Sequence, residues 1–451
     1  MPNKLGTLLL AIYICLPCSK VYAATSISFW TTEVAQDRLA VIQYLIRAFQ
    51  VHNPNIRISV RGVEENDFAA TLATAQREGK GPDIITCSSD LIVAFNKKGW
   101  INCYAVKQIL DHIGRDNFFT APLNKFRMPD GKYCGLPFNG WVQGIWYRKD
   151  WFAEKGLAPP NSWENILKAA RKFHDPQNGR YGILIGTRND SYAEQVFTHL
   201  ALSAGAKEFT RNGKVAFDSP ETVATLEFYK ELARYTPPGP QWWRGRDFYM
   251  QGRLAMMFYS TFIMDDLAIP PIAENSLGPD NFKELKGEKY DHMLLKNTGM
   301  VSSIKGSRKA AFGVIHALGL LKTGNVKKQK AAIRFAEFLY QEDAYITWLH
   351  MVPGGMLPML KKIPSSPVFY RDAQGVFQKY SRKRVREIVS GFENIKSFSI
   401  IDGELIPQAA QASEQGIIPE MIEETLRLKT PPAEAVHKAA VKMEKINFRP
   451  E

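Results

Sequence analysis

Apolar residues recur along this chain with two alternating periods, and the switches between them mark out its elements. Ile27 to Trp30 reads as a short strand, and Leu39, Ile42, Leu45 or Ile46, and Phe49 then recur at the spacing of one helix face. Ile56 to Val60 alternates at the strand period. Asp67 next stands where it can cap a helix carrying Phe68, Leu72 and Ala75, which Gly81 and Pro82 end. Asp83 to Cys87 predicts a third, buried strand, followed by a helix from about Asp90 that stops at Gly99. The opening is therefore β-α-β-α-β, as in an α/β domain.

Further along, Pro129, Asp130 and Gly131 signal a tight turn, and Ile145 to Tyr147 an extended segment. Asn161 with Glu164 resembles a capping box, and Ser219, Pro220 and Glu221 combine a cap, a pre-set φ and an acidic first turn. Residues 237–243 predict a loop ending in two adjacent indoles, Trp242 and Trp243, and Ala255 to Tyr259 a strand. Asp265 and Asp266 read as a turn. Beyond Gly319 the pattern is mostly helical, including 331–340 and 344–351. There is no internal repeat and no low-complexity linker.

With 451 residues, 45% hydrophobic and 23% charged, the chain has an ordinary globular composition and is large enough for two domains. Lys4, the apolar run Leu8 to Leu16, Pro17 and the small-residue site ending at Ala23 predict a cleaved export leader over residues 1–23. That run is shorter than the about 20 residues a membrane span needs. Neither Cys15, preceded by Ile14, nor Cys18, preceded by Pro17, suits lipidation. The C-x-x-C of Cys15 and Cys18 falls inside the leader and carries no redox reading for the mature chain. Export permits one bridge among Cys87, Cys103 and Cys134, for which Cys87 with Cys103 is the expectation; three scattered thiols make no zinc site.

The formal charge is +13, or +11 once Lys4 and Lys20 leave with the leader. No basic block is interleaved with aromatics as nucleic-acid binding would require, and the run from Lys379 to Arg386 reads as a solvated helix face. The chain contains no G-x-S-x-G elbow, no H-E-x-x-H, no complete G-x-G-x-x-G and no phosphate loop, so no cofactor, metal or phosphate chemistry is expected.

Several ordered stretches resemble the extracellular solute-binding proteins, family 1, that serve sugar-importing ABC transporters. They are 27–33, 49–60, 79–84, 130–132, 135–138, 146–152 and 160–164, then 248–256, 331–339 and 354–358. Each is short, but their order covers nearly the whole mature sequence. The chain departs from the pattern at Phe262, where the family often has Trp, which leaves the ligand type open, and at 322–325. The resemblance implies an α/β periplasmic-binding-protein fold with two lobes, each a mixed sheet flanked by helices, and hinge crossings near 136–139, 312–319 and 340–345. Lobe 1 would be 24–137 plus 316–342, and lobe 2 would be 138–315 plus 343–451. It also implies a periplasmic monomer that holds ligand in the cleft, closes on it and serves a membrane permease.

A sugar ring has an apolar C–H face and a rim of hydroxyls, so its site needs flat aromatics and paired polar groups. The candidates are Trp30 and Glu33 after the first strand, Asp67, Asp90 after the third strand, and Asn139 and Trp141 at the first crossing. Trp242, Trp243, Ser260 and Phe262 would come from the second lobe, and His316 from the second crossing. Each residue type also has an ordinary structural role: tryptophans fill cores, Asp67 and Asp90 can be caps, and His316 can be a buried imidazole beside a hinge. Glu64, Glu65 and Asp67 read as a solvated acidic turn. Two other readings remain open. One is an exported hydrolase, needing two carboxyls about 5–9 Å apart. The other is the same fold taking an anionic sugar through Arg61, Arg127 or Arg244. A polyamine is disfavoured because a cation would approach a basic protein.

Overall fold

The computed structural model describes residues 24–446 except 279, 280, 288, 402 and 403, so the expected leader, with Cys15 and Cys18, lies outside the described residues. Strands β1 (Thr25–Thr31), β2 (Ile56–Gly62) and β3 (Ile84–Ser88) run parallel. The helices Gln36–His52 and Glu65–Arg77 supply the crossovers that parallel pairing requires. Ile42, Leu45, Ile46 and Phe49 form the buried face of the first helix, as their spacing predicts. Phe49 meets Phe335 of the helix Val326–Leu339 at 5.2 Å, and Phe335 packs edge-on against Phe29 of β1 at 5.8 Å. Removing a fully buried ring such as Phe335 costs about 3–5 kcal/mol.

The other strands of the main sheet are β4 (Leu136–Arg148), β5 (Met256–Ser260), β6 (Thr298–Val301), β7 (Phe312–Leu320) and β8 (Leu357–Pro358). All eight join one mixed sheet along the path β8-β4-β7-β3-β1-β2, with β5 and β6 also on β4. β4 is thirteen residues long and does two jobs. Its residues 136–143 pair antiparallel with β7, and 143–148 pair with β5 and β6. β7 in turn pairs 316–320 with β3. Among the described strands, β1 to β3 therefore meet β5 and β6 only through β4 and β7.

The β4–β7 ladder is irregular at Pro137–Asn139, which leaves carbonyls to be satisfied by other groups. Tyr340 donates its hydroxyl to the Pro137 carbonyl at 3.0 Å, and Tyr345 donates to that of Phe138. These tyrosines flank the junction between the helices Val326–Leu339 and Glu342–Leu349. Residues 340–345 thus form a helix junction that braces residues 137–138 of β4.

Several local expectations change. The helix assigned to Asp67 begins at Glu65, and Asp67 sits in its first turn, where its charge favours the helix N-terminus without capping it. Ser88, not Asp90, caps the helix Ser89–Lys97, and Asp90 accepts from the Ser89 hydroxyl at 2.9 Å. Ser162, not Asn161, caps the helix Trp163–Phe173. Asp265 and Asp266 lie in a helix, Ile263–Ala268; Asp266 is buried and pairs with Arg246, as a buried carboxylate must. In the basic run Arg382, Lys383 and Arg386 are exposed as expected, but Arg384 turns in to donate to the Leu295 and Thr298 carbonyls.

The expected Cys87–Cys103 bridge is not formed: Cys103 pairs with Cys134, their Cα atoms 4.5 Å apart, and Cys87 is a free thiol buried inside β3. Burial, with a smaller contribution from Glu65, pushes the Cys87 thiol well above its ordinary range, so it is inert. The bridge spans 31 residues of sequence, worth about 3–4 kcal/mol by loop-closure entropy. Reduction, or the double change C103S with C134S, is therefore expected to lower the unfolding free energy by that amount, read as an earlier denaturant midpoint. In the native protein no thiol should react with a maleimide until unfolding exposes Cys87.

Candidate functional site

Side chains alternate along a strand, so Asn139, Trp141 and Gln143 share one face of β4, and Phe312, Val314 and His316 share the same face of β7. The register lays them out in rows. Ser88 of β3 stands beside His316, and His316 beside Asn139. Four positions on, Phe312 stands beside Gln143, and Gln143 beside Ser260 of β5. Trp141 lies between the rows opposite Val314, and its ring meets Phe312 at 6.0 Å, edge to face. Four of the candidates, Asn139, Trp141, Ser260 and His316, are thus brought onto one sheet face. Trp141, Phe312, Val314 and His316 are half-buried, so this face is not wholly sealed.

Close approach of the strands depends on glycine. A Cβ at Gly140 would lie 2.3 Å from the Val314 carbonyl oxygen, and one at Gly313 2.2 Å from that of Trp141. Asn139 is fixed by Trp348, whose indole N–H donates to its Oδ1 at 3.2 Å. Phe262 follows Ser260 at the end of β5 and is 40% exposed. Its ring rests on Gly355, where a Cβ would intrude to 2.3 Å, and the preceding Thr261 hydroxyl donates to the Gly354 carbonyl at 2.6 Å.

Asp90 lines a cavity of about 380 Å³ together with Phe312, Glu208, residues 397–399, Ala409, Ala410 and Ser413. Ser191, Glu194, Gln195 and Thr198 of the helix Ser191–Ala204 complete its wall. These four positions follow the i, i+3, i+4, i+7 spacing of one helix stripe, on a helix whose other residues are buried. That polar stripe was the available sequence signal, and the strongly apolar neighbours obscure it. Glu208 is 5% exposed, and burial, then Glu194, pushes its carboxyl well above the usual carboxylate range. Burial also raises Glu194, partly offset by the Ser413 hydroxyl.

A second cavity of about 430 Å³ shares Ser397 and Phe398 with the first and is lined by Lys125, Lys207, Arg308 and Lys396. Lys125 lies close enough to Asp90 for their charges to interact.

The other candidates do not join this face. Trp30 is 5% exposed in β1 beneath the Arg61 guanidinium, 4.6 Å from its ring centre, and serves as core. Glu33 is buried with Arg38 paired to its carboxylate at 2.8 Å, although its charge reaches His316. Asp67 is exposed. Trp242 packs on Phe282 at 4.9 Å and lines a separate groove of about 660 Å³ with Arg188 and Pro240. Trp243 is 43% exposed, with the Arg244 guanidinium 4.4 Å from its ring. Among the described residues no three His, Cys, Asp or Glu side chains cluster to hold a metal ion.

The comparisons agree with this architecture. The sequence profile of the family described as "Bacterial extracellular solute-binding protein" matches residues 34–346. A putative ABC transporter periplasmic-binding protein of Escherichia coli, YcjN, is 30% identical over 399 residues, which is 88% of this chain and 87% of that protein. The mannitol-binding protein of Pseudomonas aeruginosa is 27% identical over 210 residues, 44% of this chain and 46% of its own. Among solved structures, the sugar-binding protein MalE from Xanthomonas citri superposes with a TM-score of 0.72 at 16% identity, covering 94% of this chain and 97% of that one. A solute-binding protein of Thermotoga lettingae bound to α-D-tagatose gives 0.64 at 22% identity, covering 94% and 100%. The fold is the two-lobed α/β fold of periplasmic binding proteins.

One titration beside the cavity is open to measurement. His199, next to Thr198 but fully buried, is lowered to about 4 by burial, which the Ala310 backbone only partly offsets. Between pH 6.5 and about 4 the unfolded chain therefore binds the extra proton, and stability falls with pH by at most roughly 3 kcal/mol. Glu194 and Glu208, raised in the folded state, contribute the opposite slope. The expected observation is a difference: urea unfolding of H199N should lose less stability than the wild type between pH 6.5 and 4.5.

Proposed function

We propose that this chain, which belongs to the family of bacterial extracellular solute-binding proteins, captures a carbohydrate or sugar alcohol between two lobes and passes it to the permease of an ABC-type importer. The observation that carries this reading is the sheet face shared by β4 and β7. It sets an aromatic pair, Trp141 with Phe312, beside a cavity lined by carboxylates, hydroxyls and an amide. Aromatic faces suit sugar C–H bonds, and the polar wall suits their hydroxyls. Relatives are named for mannitol and maltotriose binding, and structural neighbours hold ribitol, maltose and tagatose. On this reading Asp90, Asn139, Trp141, Ser260, Phe262 and His316 face the ligand. Trp30, Asp67 and Trp242 support the frame instead.

The lobes take the boundaries 24–137 plus 316–342 and 138–315 plus 343–451, with β4 and β7 as the hinge. Ligand that touches both lobes shifts the hinge toward closure by its extra contacts in the closed form. The leader directs the chain out of the cytoplasm and is cleaved near Ala23. Among the described residues no helix is long and apolar enough to cross a membrane. The protein works as a monomer, without nucleic acid, and releases its sugar unchanged. An anionic sugar is disfavoured, because Asp90, Glu194 and Glu208 line the cavity while Arg61 and Arg244 are already stacked on Trp30 and Trp243.

A thermal-shift screen against carbohydrates and polyols should identify a ligand that raises the Tm by mass action. Saturating that ligand should reduce the radius of gyration in solution scattering; an unchanged radius would refute hinge closure. W141A should weaken affinity by about tenfold or more while leaving the melting of the free protein within a few degrees. Recovery of the sugar intact after prolonged incubation separates binder from hydrolase.

A further inference from the structure

We infer that the cavity between Asp90 and the helix Ser191–Ala204 selects a sugar or polyol that carries a protonated amine, seated against Glu208 and Glu194. This inference rests on the sugar-binding reading and narrows its ligand class. Three carboxylates line the cavity, and they differ in what already answers them. Asp90 accepts from the Ser89 hydroxyl and has the half-buried Lys125 nearby. Glu194 is partly answered by the Ser413 hydroxyl. Glu208, 5% exposed, has no hydrogen bond or ion pair from any described side chain, yet it lines the cavity.

A buried carboxylate without a partner is costly; left alone it takes up a proton, and three kinds of partner could keep it charged instead. A metal ion is a poorer answer, since among the described residues no three His, Cys, Asp or Glu side chains converge to hold one. A protein cation is not at hand: Lys207, Arg308 and Lys396 line the neighbouring cavity, are exposed, and are screened by water. A ligand ammonium supplies both the charge and up to three donors, whereas a hydroxyl supplies one donor and no charge. The raised carboxyls of Glu208 and Glu194 are what such a vacancy of charge produces. The basic balance of the whole chain does not oppose this. Net charge acts on approach from a distance and is screened there, while the bound ligand feels the groups that line its cavity.

Calorimetry on the mature chain can decide, using matched sets: glucosamine, galactosamine and mannosamine, each against its neutral parent and its N-acetyl form, and chitosan di- and trisaccharides against cello-oligosaccharides. In at least one set the amine should bind at least about tenfold tighter than both neutral forms, the gain expected from replacing a neutral donor by a charged one. E208Q, close in shape and uncharged, should narrow that ratio to about threefold or less, amine and neutral forms being compared within the variant so that a general loss of affinity cancels. E194Q, tested separately, should narrow it in the same direction, which covers a failure of E208Q to fold. If neutral sugars bind as tightly as their amines, or if the preference persists in both variants, the amine inference is overturned and the sugar-binding reading stands. If no carbohydrate or polyol binds at all, the reading beneath it falls as well.

Discussion

Backbone pairing between β4 and β7 is the constraint on which the rest of the structure depends. These two strands join the parallel β1 to β3 to the antiparallel β5 and β6, so a relative motion of the two parts has to twist or bend this ladder. The ladder also decides which side chains face one another. A two-residue period means that a slip of one residue would send Trp141 and Asn139 to the far face and bring Gly140 and Val142 forward. The device that keeps the register is partly outside the sheet: hydroxyls of Tyr340 and Tyr345 hold the carbonyls at the irregular step, and Trp348 holds Asn139. Helices distant in sequence thus stabilise the geometry of a strand they do not pair with.

The opening β-α-β-α-β order was legible because burial on one helix face and alternation along a strand leave direct marks in the order of residues. Caps were less legible. Asp67 and Asp90 carry the right chemistry, but a carboxylate in the first turn is favourable without capping, so residue type alone does not fix the start. The disulfide was not legible, because pairing follows the approach of Cα atoms in space, and Cys134 reaches Cys103 through the turn at 129–131. The aromatic candidates divide for a similar reason. Trp141 and Trp30 are the same residue type at strand positions, and only the packing around each shows that one meets a cavity wall and the other an arginine over the core.

Glu208 is the clearest case of a group whose significance no local pattern could announce. It follows the helix Ser191–Ala204 by a few residues and would pass for a surface glutamate, yet it shares a cavity wall with Ser397 to Ser399, nearly two hundred positions later. Overall composition points to the opposite sign from the cavity wall, since the chain as a whole is strongly basic. The structure separates the two scales, with exposed lysines and arginines over the surface and carboxylates at the cavity wall.

Cys134 stands two residues before β4 begins, and its bridge ties that point to the first residue of the helix Cys103–Ile113. The covalent bond therefore anchors the root of the long strand rather than stapling a peripheral loop. Disulfides of this kind form in oxidising compartments, outside the reach of cytosolic reductants. Where reductants keep the two thiols apart, β4 would be held by hydrogen bonds alone, and its root would gain a covalent anchor only in an oxidising setting. The redox state of the surroundings thus sets how firmly the longest strand of the sheet is rooted.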